Sequence, residues 1–121
     1  MSANQSLSFE IHGPARLEGH VNLSGAKNSA LKLMAASLLA TGKTTLHNVP
    51  GIADVEIMSE LLRSLGCAVV YESSTQTLSI DVPETPSHRA EYNLVRKLRA
   101  SINVLGPLLT RLGKALSLIH I

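Results

Sequence analysis

Ser24-Gly25-Ala26-Lys27-Asn28 marks the point where an extended segment gives way to an apolar helix, and this change decides the fold. Before it, residues 16–24 alternate apolar and polar side chains, which predicts a half-buried strand. After it, residues 30–40 are almost wholly apolar, which predicts a helix at residues 26–40 that is buried on nearly every side. Gly25 allows a sharp turn and leaves room for a ligand to approach. The first turn of the helix, together with Lys27, favours an anion.

These residues alone leave two interpretations open. A strand, a glycine, a lysine and a helix occur together by chance in many α/β proteins, and the G-x-x-x-x-G-K-[ST] spacing of a P-loop is absent. An ordinary helix start with a solvated Lys27 is therefore as good an interpretation as an anion site.

The rest of the chain predicts alternating strands and helices. Four more segments have the composition of strands: residues 7–12, 44–49, 67–71 and 77–82. Two have the spacing of amphipathic helices, one between Asp54 and Gly66 and one at residues 91–112. Asp54 is expected to cap the first of these at its start and Gly66 to cap its end. Pro107 is expected to bend the other near Asn103. One face of that helix is expected to be buried: Leu94, Leu98, Ile102, Leu105 and Leu109.

Composition narrows the class of protein. The 121 residues are one domain's worth of chain or part of a larger one, and 45% hydrophobic residues support a packed core. A net charge of +2 with 2% aromatic residues argues against nucleic acid as a partner. The sequence shows no apolar run of transmembrane length and no signal peptide, and it has one cysteine. These features predict a cytoplasmic protein without a membrane partner.

Taken together, several segments resemble the N-terminal part of the enolpyruvyl transferases. The matching segments are residues 12–14, 17–19, 23–31, 46–50, 65–66, 94–102 and 105–108. The most specific are the Ser-Gly-Ala-Lys-Asn turn and the Arg-Lys-Leu-Arg-Ala-Ser run at residues 96–101. The resemblance implies an α/β (α+β) fold of repeated βαβαββ units in an inside-out barrel, of which this chain would hold the first unit and part of the next. The predicted order from residue 16 to residue 82, β-α-β-α-β-β, agrees with one such unit.

The resemblance also implies a reaction and its binding residues. The enolpyruvyl group of phosphoenolpyruvate would pass to the 3′-hydroxyl of UDP-N-acetylglucosamine through a tetrahedral intermediate, with release of phosphate, as the first committed step of peptidoglycan synthesis. Lys27 and Asn28 would contact phosphoenolpyruvate and Arg99 the UDP-sugar, with no metal and no cofactor. From the residues alone, Arg99 is more simply a solvated charge on a helix, and Arg96 and Lys97 are interpreted as supporting or surface charges.

No catalytic residue is predicted within this sequence. The family's reactive cysteine follows a Pro-Gly-Gly turn that is absent here. Cys67 instead opens an apolar run, so we expect a small buried hydrophobe.

Residues 1–121 are expected to be an N-terminal fragment of an enolpyruvyl transferase domain, with a non-native tail at residues 116–121 where the resemblance fades. Alone, such a fragment is expected to be insoluble, oligomeric or inactive. Two alternatives are the sister enzyme that acts on shikimate 3-phosphate and a non-catalytic module that binds a UDP-sugar. The sister enzyme has a Gly-Ser-Lys-Ser type of turn, so Gly25-Ala26-Lys27-Asn28 favours the UDP-sugar branch.

Overall fold

The computed structural model describes residues 6–116. In chain order the elements are α1 (Lys27–Ala36), a 3₁₀ turn (Ser37–Leu39), β1 (Gly42–Leu46), α2 (Ala53–Ser64), β2 (Ala68–Glu72), β3 (Thr77–Val82), α3 (Tyr92–Val95), a 3₁₀ segment (Arg99–Val104) and α4 (Leu105–Leu112). Apart from Leu116, the tail predicted at residues 116–121 lies outside the described residues.

The three strands form one antiparallel sheet in the order β1-β3-β2. Because side chains alternate across a strand, one face of β3 carries Leu78, Ile80 and Val82, all fully buried, and the other face is polar. β1 ends at Leu46 rather than at the predicted residue 49, since Asn48 takes a left-handed backbone conformation (φ 56°) that no strand continues through. The sheet therefore has one face toward the core and one toward solvent.

The helices cover the buried face and complete a two-layer α+β core. α1 packs on α2 and on the 3₁₀ segment, and α4 packs on the 3₁₀ turn. The side chains buried most completely come from α1, its 3₁₀ turn, α2 with the residue that follows it, and the sheet: Met34, Leu38, Met58, Leu61, Leu62, Leu65, Leu78, Ile80 and Val82. Each such side chain contributes on the order of 1.5–3 kcal/mol through burial.

The end of α2 matches its prediction. Gly66 has φ +101°, the left-handed conformation in which glycine carries no steric penalty. Its N–H donates to Arg63 O at 3.0 Å, and the N–H of Cys67 donates to Leu62 O at 3.0 Å. These two bonds are those of a Schellman cap, so Gly66 ends the helix as expected and turns the chain into β2.

The start of α2 differs from its prediction. Ile52, not Asp54, occupies the cap position, and no side chain caps the helix there. Asp54 lies within the first turn, where its carboxylate faces Lys27 instead of the backbone of its own helix. An ammonium on a neighbouring helix competes for the same oxygen atoms.

The strands predicted at residues 7–12 and 16–24 are not formed. Their apolar side chains are 86–99% exposed, from Leu7 and Phe9 to Leu23, and the described residues provide no strand that pairs with them. Alternation in the sequence specifies which face of a strand would be buried, but a strand forms only against a partner.

Two helix predictions are also corrected. α1 is not buried on nearly every side, because a two-layer fold covers only its inner face and leaves Leu33 51% exposed. The single helix at residues 91–112 is broken into α3, the 3₁₀ segment and α4. Leu98 is extended (φ −140°, ψ 114°), and the Ser101 hydroxyl donates to Leu98 O at 2.6 Å. Regular α-helix begins again at Leu105, close to Asn103, where Pro107 was expected to bend the helix.

This break also changes which face of the third helical region is buried. Of the predicted face, Leu94 and Leu98 are buried but Ile102 and Leu109 are 42% and 52% exposed. The chain places Val104 and Leu108 inside instead.

Candidate functional site

The turn that precedes α1 is held against the loop that follows β1. A Cβ built on Gly25 would lie 1.7 Å from the carbonyl oxygen of Asn48, so only glycine fits this close approach. The side-chain amide of Asn48 donates to Leu23 O at 3.3 Å. The space at Gly25 that was expected to admit a ligand is therefore filled by the protein's own backbone. The turn presents the first residues of α1, Lys27 and Asn28, toward the adjacent cleft.

That cleft has a volume of about 300 Å³ and lies between α1, α2 and the chain around residues 97–100. Its lining consists of Lys27, Asn28, Leu31, Asp54, Lys97, Leu98, Arg99 and Ala100. The three residues singled out by the sequence, Lys27, Asn28 and Arg99, thus lie around one cavity although they are far apart in the chain. The structure brings together every predicted binding residue.

Positive charge dominates the cleft. The Lys27 ammonium lies 3.0 Å from a carboxylate oxygen of Asp54, with the two side chains 54% and 31% exposed. Within residues 6–116, no carboxylate comes within ion-pair distance of Lys97 or Arg99. Three cations and one carboxylate give the cleft a net positive charge, which suits a polyanion. The unpaired N–H groups at the start of the ten-residue helix α1 lie next to it and also favour an anion.

Lys97 is a cleft residue that the sequence interpretation missed. Lys97 was interpreted as a surface or supporting charge, and in a continuous helix residues 97 and 99 would point to different sides. Because Leu98 is extended, the helix is interrupted there, and the whole stretch of residues 97–100 borders the cleft, so that Lys97 joins Arg99 in its lining. Asp54 was missed because it was predicted to cap the start of α2.

Cys67 is buried, as expected, and lies outside the cleft lining. Burial raises the pKa of its thiol from 9.0 to about 11, with the Arg111 charge opposing the shift and the Asp81 charge adding to it. A thiol that stays protonated at neutral pH is a poor nucleophile. This supports the interpretation of Cys67 as a core residue.

The part of the chain that the structure describes contains no group of three or more His, Cys, Asp or Glu side chains able to hold a metal ion. Of its helices, none has both the length and the apolar character needed to cross a bilayer.

The fold of this chain has a counterpart among solved structures. Its structure is similar to that of the enolpyruvyl transferase NikO from Streptomyces tendae, with a TM-score of 0.69 and 29% identity over 84% of this chain and 23% of that one. The sequence profile of the EPSP synthase (3-phosphoshikimate 1-carboxyvinyltransferase) family matches residues 11–120. The chain therefore belongs to this family, which confirms the resemblance and the predicted fold class.

Curated relatives indicate the branch of the family. The chain is 51% identical over 108 residues to the UDP-N-acetylglucosamine 1-carboxyvinyltransferase of Corynebacterium jeikeium and 53% identical over 107 residues to that of Gloeobacter violaceus. These matches cover 89% and 88% of this chain. The chain spans about a quarter of the length of these relatives, 25% and 23% respectively.

Proposed function

We propose that this chain supplies part of the substrate site of an enzyme that transfers the enolpyruvyl group of phosphoenolpyruvate to the 3′-hydroxyl of UDP-N-acetylglucosamine. The observation that carries the proposal is the convergence of Lys27, Asn28 and Arg99 on one cationic cleft. Phosphoenolpyruvate and the diphosphate of the acceptor are both polyanions, and such a cleft would bring their reacting ends together by preorganised charge.

Because of the size of the cleft, we propose that the two substrates occupy different parts of it. A volume of about 300 Å³ is at the lower limit of small-molecule sites and is too small for a whole nucleotide sugar. It fits the three-carbon donor, which we place at Lys27 and Asn28. Arg99 would meet the acceptor's diphosphate at the edge, since its planar guanidinium can donate two parallel hydrogen bonds to phosphate oxygens.

The residues have distinct parts in the proposed reaction. The 3′-hydroxyl of the sugar gives up its proton to a base as its oxygen adds to C2 of the donor, and C3 takes up a proton. The adduct then loses a proton from C3, and the C2–O bond to phosphate breaks, releasing inorganic phosphate. Lys27 would bind the negative charge of the donor and of the adduct through charge-assisted hydrogen bonds, and the Asn28 amide would orient it. The proton-transfer groups are proposed to lie outside this chain, in keeping with the prediction of no catalytic residue here.

The acceptor distinguishes this proposal from its alternative. The family takes its name from the reaction on shikimate 3-phosphate, whereas relatives about half identical to this chain are named for UDP-N-acetylglucosamine. We therefore favour the UDP-sugar, and with it a place in peptidoglycan synthesis. A cytoplasmic location is part of the same proposal.

A full-length chimera tests the proposal. The residues of this chain replace the matched segment of the Gloeobacter violaceus relative, and phosphate release is measured with phosphoenolpyruvate and either UDP-N-acetylglucosamine or shikimate 3-phosphate. We expect release with the UDP-sugar alone. An inactive chimera beside an active parent, or release with shikimate 3-phosphate, would contradict the proposed function.

Lys27→Ala in the chimera tests the residue assignment. Loss of a charge-assisted hydrogen bond of about 1.5–3 kcal/mol predicts a fall in kcat/KM for phosphoenolpyruvate of about 10- to 150-fold. Lys32→Ala is the matched control, because Lys32 is an exposed lysine on the same helix that does not line the cleft. Equal activity of the two variants would remove Lys27 from the site.

A further inference from the structure

The loop after β1 sets the position of the turn before α1. Asn48 holds a left-handed backbone conformation (φ 56°), which a residue other than glycine adopts at a cost unless the surroundings require it. In this conformation its carbonyl oxygen occupies the space beside Gly25 where any other residue would carry Cβ. Its side-chain amide also reaches the same turn, donating to Leu23 O at 3.3 Å. Backbone and side chain of one residue thus contact the turn together.

The loop is itself anchored to the sheet, so it can act as a fixed support. The N–H of Val49 donates to Gln76 O at 2.9 Å, in the turn between β2 and β3. The Tyr71 hydroxyl donates to Val49 O at 2.9 Å. Val49 is buried, only 3% exposed. Because these bonds lead directly to the sheet, Asn48 cannot shift without disturbing the hairpin.

We propose that Asn48 and Gly25 are positioning residues that set where Lys27 and Asn28 stand in the cleft. The inference rests on the proposed function, because it assigns to this contact the placement of the donor-binding residues. Lys27 follows Gly25 by two residues, and with Asn28 it begins the rigid helix. A displacement at Gly25 is therefore carried into the cleft.

Gly25→Ala in the chimera is the direct test. The new Cβ would begin 1.7 Å from Asn48 O, and a separation of 3.0 Å is the least that real structures show, so the turn must move by about 1.3 Å. A displacement of about 1 Å at a positioned group costs on the order of 100-fold in rate. We expect kcat/KM for phosphoenolpyruvate to fall by about that factor, while KM for UDP-N-acetylglucosamine stays within about twofold. The acceptor is spared because Arg99 lies on a different segment.

Variants of Asn48 separate its backbone from its side chain. Asn48→Gly keeps access to the left-handed conformation and removes only the amide, so we expect a loss of about 2- to 10-fold, the size of one neutral hydrogen bond. Asn48→Ala also resists that conformation and should lose more than Asn48→Gly in donor kcat/KM. Equal kinetics for these two variants would contradict the proposal even where Gly25→Ala fails to fold.

Gly113→Ala is the matched control for backbone strain. Gly113 is left-handed (φ +70°), with no atom near its missing Cβ and no part in the cleft. It should lower the melting temperature and leave KM for phosphoenolpyruvate unchanged. A merely structural role for Gly25 would give the same pattern as this control and would overturn the proposal.

The experiments distinguish a failure of the proposed function from a failure of the positioning inference. If Lys27→Ala has parent activity, the proposed function of Lys27 fails. If Lys27→Ala is impaired but Gly25→Ala is not, only the positioning inference fails. Titration of the ¹⁵N-labelled chimera with inorganic phosphate gives a readout that does not need turnover. We expect the amide signals of Lys27 and Asn28 to shift in the parent and to shift at least tenfold less at equal phosphate in Gly25→Ala. Equal shifts in both would overturn the inference.

Discussion

Arg111 on α4 ties three separate parts of the fold together, and its removal should loosen them locally. Its Nη1 donates to Leu38 O at 3.0 Å, in the 3₁₀ turn after α1. Its Nη2 faces three acceptors: the Thr41 hydroxyl, and the carbonyl oxygens of Pro83 and Glu84, each at 3.0 Å. The guanidinium thus connects α4 with the chain before β1 and the chain after β3.

The geometry limits the size of the effect. Nη2 carries two hydrogens for three acceptors, so its bonds are shared, and the site is partly open to water. Two full bonds from a charged donor, at about 1.5–3 kcal/mol each before exposure is discounted, give about 3 kcal/mol for Arg111→Met. The methionine keeps much of the apolar stem, so the change isolates the guanidinium. A free energy of about 3 kcal/mol corresponds to about 100-fold in a local opening equilibrium.

Hydrogen exchange followed by mass spectrometry on the chimera measures this opening. In Arg111→Met, peptides covering residues 37–42, 83–87 and 105–112 should exchange about 100-fold faster. Residues 68–72, on the far edge of the sheet, should change little. Arg96→Met is the control, because it also replaces an arginine by methionine but at an exposed position. The Arg96 guanidinium lies over the Tyr92 ring, 5.9 Å from its centre, and within the described part of the chain it does not connect separate parts of the fold. Unchanged exchange in Arg111→Met, or an equal change at residues 68–72, would refute the reasoning.

Two further predictions concern ionisable groups. The folded pKa of Cys67, about 11, lies above its ordinary 9.0, so the unfolded chain ionises first as the pH rises. The stability that depends on the protonated thiol is fully present at pH 8, and the free energy of unfolding should fall by about 2 kcal/mol between pH 8 and 11. Urea titrations at pH 8 and 11 measure this loss of stability, which should be smaller in Cys67→Ala. An equal loss in the parent and in Cys67→Ala would show that the thiol is exposed and would contradict the prediction. Asp54→Asn should raise the affinity of the chimera for inorganic phosphate by about 3- to 10-fold at low salt, because it removes the one carboxylate facing the anion, and high salt should abolish the gain. Glu56→Gln is the control, from the same first turn of α2 but outside the cleft lining, and calorimetry showing equal effects for both variants would contradict this prediction.

Local chemistry in the sequence determined several parts of this protein. The glycine that ends α2 and the hairpin of β2 and β3 were predictable because caps and turns depend on residues close in the chain. The burial of Cys67 followed from the apolar run that it opens. The motif residues Lys27, Asn28 and Arg99 were identified from the sequence through their resemblance to a family.

Tertiary structure alone decided how these parts meet. The extended conformation at Leu98 converts an expected helix face into a pair of cleft cations, Lys97 and Arg99. Asp54 turns from a helix cap into the partner of Lys27, and the carbonyl of Asn48 fills the space at Gly25. Each of these contacts joins segments that are distant in the chain. Local propensity and periodicity do not predict such contacts, because they depend only on residues that are close in the sequence. For the same physical reason, residues 7–12 and 16–24 have the alternation of strands without forming them, since a strand requires a partner as well as a pattern.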